Sequence, residues 1–523
     1  MKLRRVRKFR LNSLKSRLRT ANGQVAIACG ISAFVIGAIL LSAHAATSQT
    51  AVEPEKGTIT GAANSVADSS ASGGKAVMFG SGGTGTGSLP AGIFVAPNGN
   101  DSTGDGSISK PFATLGRAQT AMRAGGPQIT YIRAGTYKTP AVTSNGVTYA
   151  LYLTKADNGQ TWSYYPPDGY NSAILDGGST TASTGIKEMI TIDGGSNITI
   201  DGLDIRHFKW IGVSVHGGGS YAEAHPINTT TASGNVVKNN LIHDGGYDTS
   251  VDSGYGFAAI EGSYAIPSTT FSHNAIYNIM SSGINLTAGG KGGGGTLSNL
   301  VYDGNVVLNT CLDVTDCAAL YTQDINLSST NIRITNNYVR DAGTAASQSR
   351  AIYLDDGSSN TLVSGNIVSG LSAWMFTIHG GKNDTFTGNI VDLATYDNAV
   401  LLYQGSSVST VMSGNSVTNN IIISGGGGDG YRGMDTFQNQ PVIKNNAYYT
   451  YAGSQMSTGG IGMNGDASPV IVNPQLSCWA YNIAAGSPVF NAPVSFKAIE
   501  GNWGPPGYVI PKTGTPPSQP HGC

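Results

Sequence analysis

The feature that most constrains this chain is a recurring asparagine. It appears in KNNLI at Asn240, SHNAI at Asn274, DGNVV at Asn305, TNNYV at Asn337, SGNIV at Asn366, TGNIV at Asn389, SGNSV at Asn415 and KNNAY at Asn446. The intervals are 34, 31, 32, 29, 23, 26 and 31 residues. Short β-rich runs bounded by Gly, Asn, Asp and Ser fill the spaces between. A unit of this size cannot bury an apolar face alone and must stack on its neighbours. Strand–turn–strand content at an irregular period suits a β-solenoid whose coils differ in loop length. A propeller blade would need four strands and a more regular period. The asparagines read as structural, their amides bonding along a ladder at the turns and satisfying buried polar groups.

Glycine fits the same picture. The chain has 523 residues and 73 glycines, where average usage would give about 37. No G-X-Y period exists, which excludes collagen. Only 12% of residues are charged, which argues against a disordered polyelectrolyte and against a coiled coil. Many tight turns are the remaining use for so much glycine.

Residues 1–22 hold nine cations and no acid, an apolar run follows from about Val25 to Leu41, and Ala43-His44-Ala45 comes next. This is the pattern of a secretory signal peptide cut after Ala45, or of an uncleaved signal anchor. The formal net charge of −1 is therefore an average. Without the leader, 21 basic residues face 31 acidic ones, a net charge of −10. A negative exported body disfavours nucleic acid and anionic membranes as partners. Cys29 lies in the leader, leaving Cys311, Cys317, Cys478 and Cys523. In an exported chain these suggest two disulfides, Cys311–Cys317 by proximity and Cys478–Cys523 by elimination, and no metal-type spacing competes. The expected domains are a signal peptide or anchor (1–45), a Gly/Ser-rich linker (46–90), the solenoid (91–495) and a Pro-rich tail (496–523). One helical stretch, Lys110 to Ala124, carries Thr114 as its N-cap.

The stretch Phe94-Val95-Ala96-Pro97-Asn98-Gly99-Asn100-Asp101, then Lys110-Pro111-Phe112-Ala113-Thr114-Leu115, then Ile129-Thr130-Tyr131-Ile132-Arg133-Ala134-Gly135-Thr136-Tyr137, resembles the N-terminal entry of right-handed parallel β-helix (pectin-lyase-like) proteins that act on polysaccharides. With the repeats, the resemblance covers residues 92–495. It implies an all-β fold, a right-handed single-stranded parallel β-helix with an N-terminal capping helix. For the reaction it implies only a range, since this architecture carries lyases, epimerases, glycosidases and tailspikes. Of the polygalacturonase motifs, Gln323-Asp324, Asp355-Asp356 and His379-Gly380-Gly381 echo the first three in order, without the leading Asn and without a following R-x-K. The motifs of alginate lyases and epimerases have no counterpart.

Four strands align by eye: LYTQD (Leu320–Asp324), IYLDD (Ile352–Asp356), MFTIH (Met375–His379) and VLLYQ (Val400–Gln404). In this alignment Leu320, Ile352, Met375 and Val400 point inward. Asp324, Asp356, His379 and Gln404 form one column at the strand ends, with Glu261 and His216 from earlier coils in register. Coils stack about 4.8 Å apart, so Asp324 and Asp356 would lie roughly 5–6 Å apart, a retaining glycosidase separation, with Glu261 near roughly 10 Å. The catalytic candidates are Asp324, Asp356, Asp355, His379 and Glu261. The substrate-binding candidates are Tyr321, Gln323, Tyr353, Phe376, Lys382, Tyr403, Gln404, Arg350 and His216. His243-Asp244 is an outlying candidate. Against these stand the roles of Asp before Gly as a turn former and of paired carboxylates as Ca²⁺ ligands.

Three functions fit: a secreted glycoside hydrolase working through the aspartates, a polysaccharide lyase acting on a uronate polymer, and a non-catalytic glycan-binding or cell-surface protein. The hydrolase comes first, because a lyase needs cations near the substrate carboxylate and few are present. No cofactor is required, and the paired carboxylates could hold Ca²⁺. The expected partner is a polysaccharide or oligosaccharide and not nucleic acid. The membrane enters only through an uncleaved leader, and the chain is expected to be a monomer in the extracellular space or cell envelope.

Overall fold

The structure is a computed structural model. It describes residues 89–518 except the segments 139–141, 145, 218–230, 251–256, 289–294, 345–348, 395–398, 427–428, 453–455, 493–495 and 500, together with two strands nearer the N-terminus. Those two, Ala63–Ala67 and Lys75–Phe79, pair antiparallel within a separate unit, so the expected linker carries a short hairpin. The leader and Cys523 lie outside the described residues. Among the described residues no helix is long and apolar enough to cross a membrane.

The main unit holds three sheets of twelve strands each, and except at the sheet ends hydrogen-bonded neighbours are three strands apart in the chain. That order is the signature of a solenoid: every coil gives one strand to each sheet, then climbs to the next. Nearly all pairings are parallel. The exception within the solenoid is Val142–Ser144, which caps one sheet edge antiparallel. The fold is therefore a parallel β-helix, and connections between parallel strands of one sheet are right-handed. The sheet that matters for function contains β1 (Val147–Thr154), β2 (Glu188–Asp193), β3 (Ile211–His216), β4 (Ala258–Ser263), β5 (Ser282–Ala288), β6 (Ala318–Asp324), β7 (Arg350–Asp355), β8 (Trp374–His379), β9 (Ala399–Gln404) and β10 (Asp429–Met434).

The core is a stack of aliphatic and aromatic rows. From this sheet Ile192, Val215, Leu286, Leu354, Ile378 and Tyr403 point inward, against Ile200, Val237, Phe271, Tyr302, Ile334, Val363, Phe386 and Val417 of the second sheet. All are fully buried. Each such side chain contributes about 1.5–3 kcal/mol on leaving water. The helix α1 (Leu115–Arg123) begins at Thr114, whose hydroxyl accepts from the Arg117 N–H. Its buried face, Leu115, Ala118 and Met122, joins Ile93, Val95 and Phe112 of the first coil.

The asparagine ladder is present and continuous. The Oδ1 of Asn274 accepts from both the backbone N–H and the side-chain amide of Asn240. The same double bond repeats through Asn305, Asn337, Asn366, Asn389, Asn420 and Asn446, and it ends on the Asp466 carboxylate. One expected member is corrected: the rung after Asn389 is Asn420, not Asn415. Asn415 sits in a different turn, where its Oδ1 accepts from the Asp384 N–H. The residue before each rung has positive φ: Asn239, His273, Gly304, Asn336, Gly365, Gly388, Asn419 and Asn445. Each corner is thus a left-handed residue, which Gly and Asn tolerate best, followed by a buried amide. This accounts for the Asn-Asn and Gly-Asn pairs in the sequence.

The C-terminal segment folds back along the third sheet rather than lying loosely on it. Tyr481, Val489, Phe496 and Trp503 share a buried cluster with Tyr338, Ile367, Ile390 and Ile421 of that sheet. The Cys311–Cys317 disulfide is formed, and Cys478 is also disulfide-bonded.

Replacing Asn337 with Ala removes one rung and leaves buried partners unmatched on both sides, at about 1–3 kcal/mol for each such group. Chemical denaturation should show a large loss of stability for Asn337→Ala, and a change within about 0.5 kcal/mol for exposed Arg333→Ala. Equal losses would remove the ladder from its structural role.

Candidate functional site

On the outer face of the β1–β10 sheet, strand alternation sets two columns of side chains away from the core. One pairs Tyr321 with Tyr353, then Thr377, then Leu402. The other pairs Gln323 with Asp355, and on the next two coils His379 with Gln404. After Asp355 the chain turns sharply, with Asp356 and Gly357 both at positive φ. The Gly357 N–H donates to the His379 carbonyl (2.8 Å), which ties this turn to the end of β8. A side chain at 357 would meet Leu327 at 2.3 Å. Glycine there lets Asp356 settle beside His379.

The cluster is tightly bonded. His379 Nδ1 lies 2.6 Å from Asp355 Oδ1 and 3.7 Å from Asp356 Oδ1. The Tyr321 hydroxyl donates to Asp355 Oδ2 (2.6 Å), and the Asp356 backbone N–H donates to Asp355 Oδ1 (2.8 Å). The Gln323 amide donates to Asp356 Oδ2 (2.9 Å). Tyr353 stands edge-on to Tyr321, with ring centroids 5.2 Å apart, and the Arg350 guanidinium lies 4.5 Å over the Tyr353 ring. Arg350 is held there by an ion pair with Asp316, from the loop that the Cys311–Cys317 disulfide closes.

These surroundings push the two carboxylates in opposite directions. Burial raises the Asp355 pKa, but hydrogen bonds from His379 and Tyr321 and the His379 charge outweigh it, so Asp355 sits below the usual carboxylate range. Burial and the neighbouring Asp355 charge raise Asp356. His379 is raised as well, because its bond to Asp355 and the charge of both carboxylates exceed the desolvation that opposes them. The two neighbouring carboxylates are thus displaced in opposite directions, Asp355 toward the ionised form and Asp356 toward the protonated one, the kind of asymmetry acid–base catalysis uses. One ligating atom from each of Asp355, Asp356 and His379 lies within 4.8 Å of the others, so the same three groups could hold a divalent cation.

The structure gathers Asp355, Asp356, His379, Tyr321, Tyr353, Gln323 and Arg350, and it separates the rest. Asp324 is inward-facing and buried, and its carboxylate accepts the N–H groups of Asn326, Ser328 and Ser329. It shapes a turn and does not face Asp356. Phe376 and Tyr403 are core residues: Phe376 packs on Phe386 at 4.7 Å, and the Tyr403 hydroxyl donates to Met412 and Asn439 carbonyls. The cause is a one-residue shift. Ile352 pairs with Phe376 and not with Met375, so Phe376 and Ile378 take the inward places and Thr377 and His379 the outward ones. Gln404 lies beyond His379 and donates to Asp435 (2.6 Å). Lys382 sits in the turn after β8, its backbone bonded to Ser359 and Asn360.

Glu261 and His216 belong to a second, buried group on the same face. Glu261 pairs with Ser214 and Asn285, and Asn285 with Tyr321, so Glu261 shares the Tyr321 column and not that of Asp324. Ser214 Oγ donates to Glu261 Oε2 (2.9 Å) and bonds His216 Nε2, while His216 Nδ1 bonds Ser263 Oγ (2.6 Å). Burial and the Glu188 charge push Glu261 well above the ordinary carboxylate range. Glu188, which accepts from Thr191 (2.6 Å), was not among the sequence candidates. Nor was Asp193, which shares the His216 column. The alternation in EMITID was the available signal for Asp193. His243 lies on another sheet, stacked on Tyr277 and bonded to Asp204 and Asp244.

No protein-family model matches the chain, and no curated protein matches it. Solved structures with a similar course include a GH136 lacto-N-biosidase from Eubacterium ramulus (TM-score 0.45, 10% identity, covering 73% of this chain and 68% of that one). A GH87 α-1,3-glucanase from Streptomyces thermodiastaticus gives a TM-score of 0.42 at 10% identity, covering 75% and 70%. A pectate lyase gives 0.38 at 13% identity, covering 70% and 78%. The fold stands on the strand register above and the site on its own geometry.

Stability separates the two aspartates. Asp324→Ala frees three backbone N–H groups and should cost about 2–4 kcal/mol. Asp356 has a raised folded pKa, so its ionised form weakens the fold above the unfolded pKa, and the penalty disappears below it. Asp356→Asn should therefore raise the melting temperature at pH 7, with the gain fading toward acid pH. A loss at pH 7 would contradict the environment described.

Proposed function

We propose that this chain is an exported glycan-acting enzyme, most specifically a glycoside hydrolase in which Asp356 is the general acid and Asp355 the ionised partner. The observation that carries this reading is the unlike surroundings of two neighbouring carboxylates in one half-open cluster. Asp355 is buried and held by His379, Tyr321 and the Asp356 N–H, whereas Asp356 is half-buried and bonded to Gln323. Asp356 gives its proton to the glycosidic oxygen as the bond to the anomeric carbon breaks. Asp355 faces the positive charge that develops on the sugar, and water supplies the hydroxyl that ends on the anomeric carbon, its proton restoring the acid. His379 and Tyr321 keep Asp355 ionised and oriented. One carboxylate oxygen of Asp355 lies within 4.8 Å of one of Asp356, short of the roughly 6.5–9.5 Å that inversion requires, so retention of configuration is expected. Tyr321 offers a partly exposed ring for sugar stacking. Elimination on a uronate is less well served, because Arg350 is already engaged by Asp316 and Tyr353. The leader and the disulfides support export.

The test is incubation with neutral and uronate polysaccharides, read by new reducing ends and by absorbance near 235 nm. Reducing ends without the unsaturated chromophore support hydrolysis, the chromophore shows elimination, and binding without product leaves a glycan-binding protein. Asp356→Asn should lower turnover by about 10²–10⁴-fold. Activity should fall at high pH as Asp356 loses its raised proton, and at low pH as Asp355 gains one. His379→Gln removes the strongest support of Asp355 ionisation and should move the acid limb to higher pH; an unmoved limb would exclude His379 from this role.

A second reading rests on the convergence of Asp355, Asp356 and His379 on one point. If a divalent cation such as Ca²⁺ is bound there, chelation should abolish activity and added cation restore it. Full activity in chelator removes this reading and leaves the acid–base pair.

A further inference from the structure

A second feature lies on the opposite side of the coil from the cluster. The left-handed corners that precede the asparagine rungs form the floor of a trough of about 640 Å³, and the returning C-terminal segment forms its wall. His273, Asp303, Asn336, Ser364 and Asn419 line the floor, and Lys497 the wall. The trough therefore runs over six successive corners, from His273 to Asn419, with a rise of about 4.8 Å per coil.

Its floor is built. A Cβ on Gly304 would stand 2.5 Å from the His273 ring, and one on Gly365 would stand 2.7 Å from Asn336 Oδ1. Gly304 and Gly365 thus leave room for the His273 and Asn336 side chains of the preceding corners to lie along the trough. Asp303 Oδ1 accepts from the Thr335 hydroxyl (2.6 Å) and the Asn336 amide (3.0 Å), which fixes both. The wall is fixed too. The Gly504 N–H donates to the Gly304 carbonyl (2.8 Å), and Ile499 and Trp503 are buried in the tail cluster.

We propose that this trough is a glycan-chain binding site separate from the Asp355–Asp356–His379 cluster. It is long, open and lined with amides, hydroxyls and charges of both signs, so it suits a hydroxyl-rich linear polymer more than a small apolar ligand or a polyanion. Each coil rise, roughly the length of one sugar unit, offers a polar side chain either at the corner (His273, Asn336, Asn419) or just before it (Asp303, Ser364, Thr387), so successive sugars of an extended chain each meet a polar group. A catalytic cleft on one side and a holding site on the other would raise the local concentration of polymer without adding to chemistry on short substrates.

The test uses the full chain carrying Asp356→Asn, so that polymer is bound and not consumed. Mobility is measured in native gels containing xylan, β-glucan, polygalacturonate or alginate. At least one polymer should retard the parent, and adding Asn336→Gly with Lys497→Ala should weaken that retardation about tenfold. Glycine suits the left-handed corner and Lys497 is exposed, so these changes spare the fold. In the otherwise wild-type chain the same pair should leave turnover of short oligosaccharides unchanged while slowing turnover of polymer. Equal retardation of both proteins, or retardation of neither by all four polymers, overturns the site. A chain that binds through the trough but cleaves nothing keeps this inference and removes the hydrolase reading. A chain that cleaves normally, with retardation unaffected by the pair, does the reverse.

Discussion

The buried amide at each corner is the constraint on which the rest of the molecule depends. A parallel β-helix offers little else to fix one coil on the next, because its core rows are apolar and tolerate sliding by two residues. An asparagine that must accept two bonds from the coil before it and donate to the coil after it permits one register. Each rung would leave buried donors and acceptors unmatched if it slipped, and low dielectric makes those losses large. Loops are then free to vary in length, which is why the intervals between rungs range so widely while the strands stay aligned. The ladder ends on Asp466, a carboxylate that accepts without needing a further coil to donate to.

That division between rigid corners and free loops explains what could be read in advance. The solenoid, the helix over Leu115–Arg123, one disulfide and the ladder follow from local patterns whose physics is short-ranged. The site did not read as cleanly. Asp355, Asp356 and His379 were recognisable as a group from residue type and spacing, yet their columns were shifted. In WMFTIH three large apolar residues are consecutive, and the inward row is occupied by Phe376 and Ile378. The polar parity of Thr377 and His379 was the correct guide, but apolarity at Met375 masked it. Asp324 failed for a related reason: Thr322 faces inward, so the residue two further on does too, and only a turn that consumes its carboxylate makes an aspartate tolerable there.

The same geometry gives the site its electrostatics. Adjacent residues in a strand face opposite ways, so two consecutive aspartates do not normally share a site. Here the strand stops at Asp355 and the backbone swings left-handed at Asp356, which brings the second carboxyl round beside the first. The two charges repel, and the repulsion raises Asp356 rather than Asp355 because Asp355 has three other donors: His379, Tyr321 and the Asp356 backbone N–H. The asymmetry comes from hydrogen bonds supplied by three successive coils, β6, β7 and β8. None of those coils alone carries the site, so its geometry is only as well defined as the register between them.

Register is set at a different corner from the one where chemistry would occur. The rungs Asn305, Asn337, Asn366 and Asn389 belong to the same turns of the solenoid as β6 to β8, but they lie between the other two sheets, and their amides never approach Asp355. A carboxylate pair under mutual repulsion is a local cost of the folded state, and a scaffold that depended on that region for its cohesion would relax it away. Separating the cohesive element from the strained one lets the coil tolerate both. The corners that carry the ladder also floor the polar trough: His273, Asn336 and Asn419 stand at left-handed positions, and Asp303, Ser364 and Thr387 directly precede the glycines that fill the other three. A repeating structural device thereby presents a repeating surface, and a polymer of similar repeat is the ligand such a surface can meet at every step.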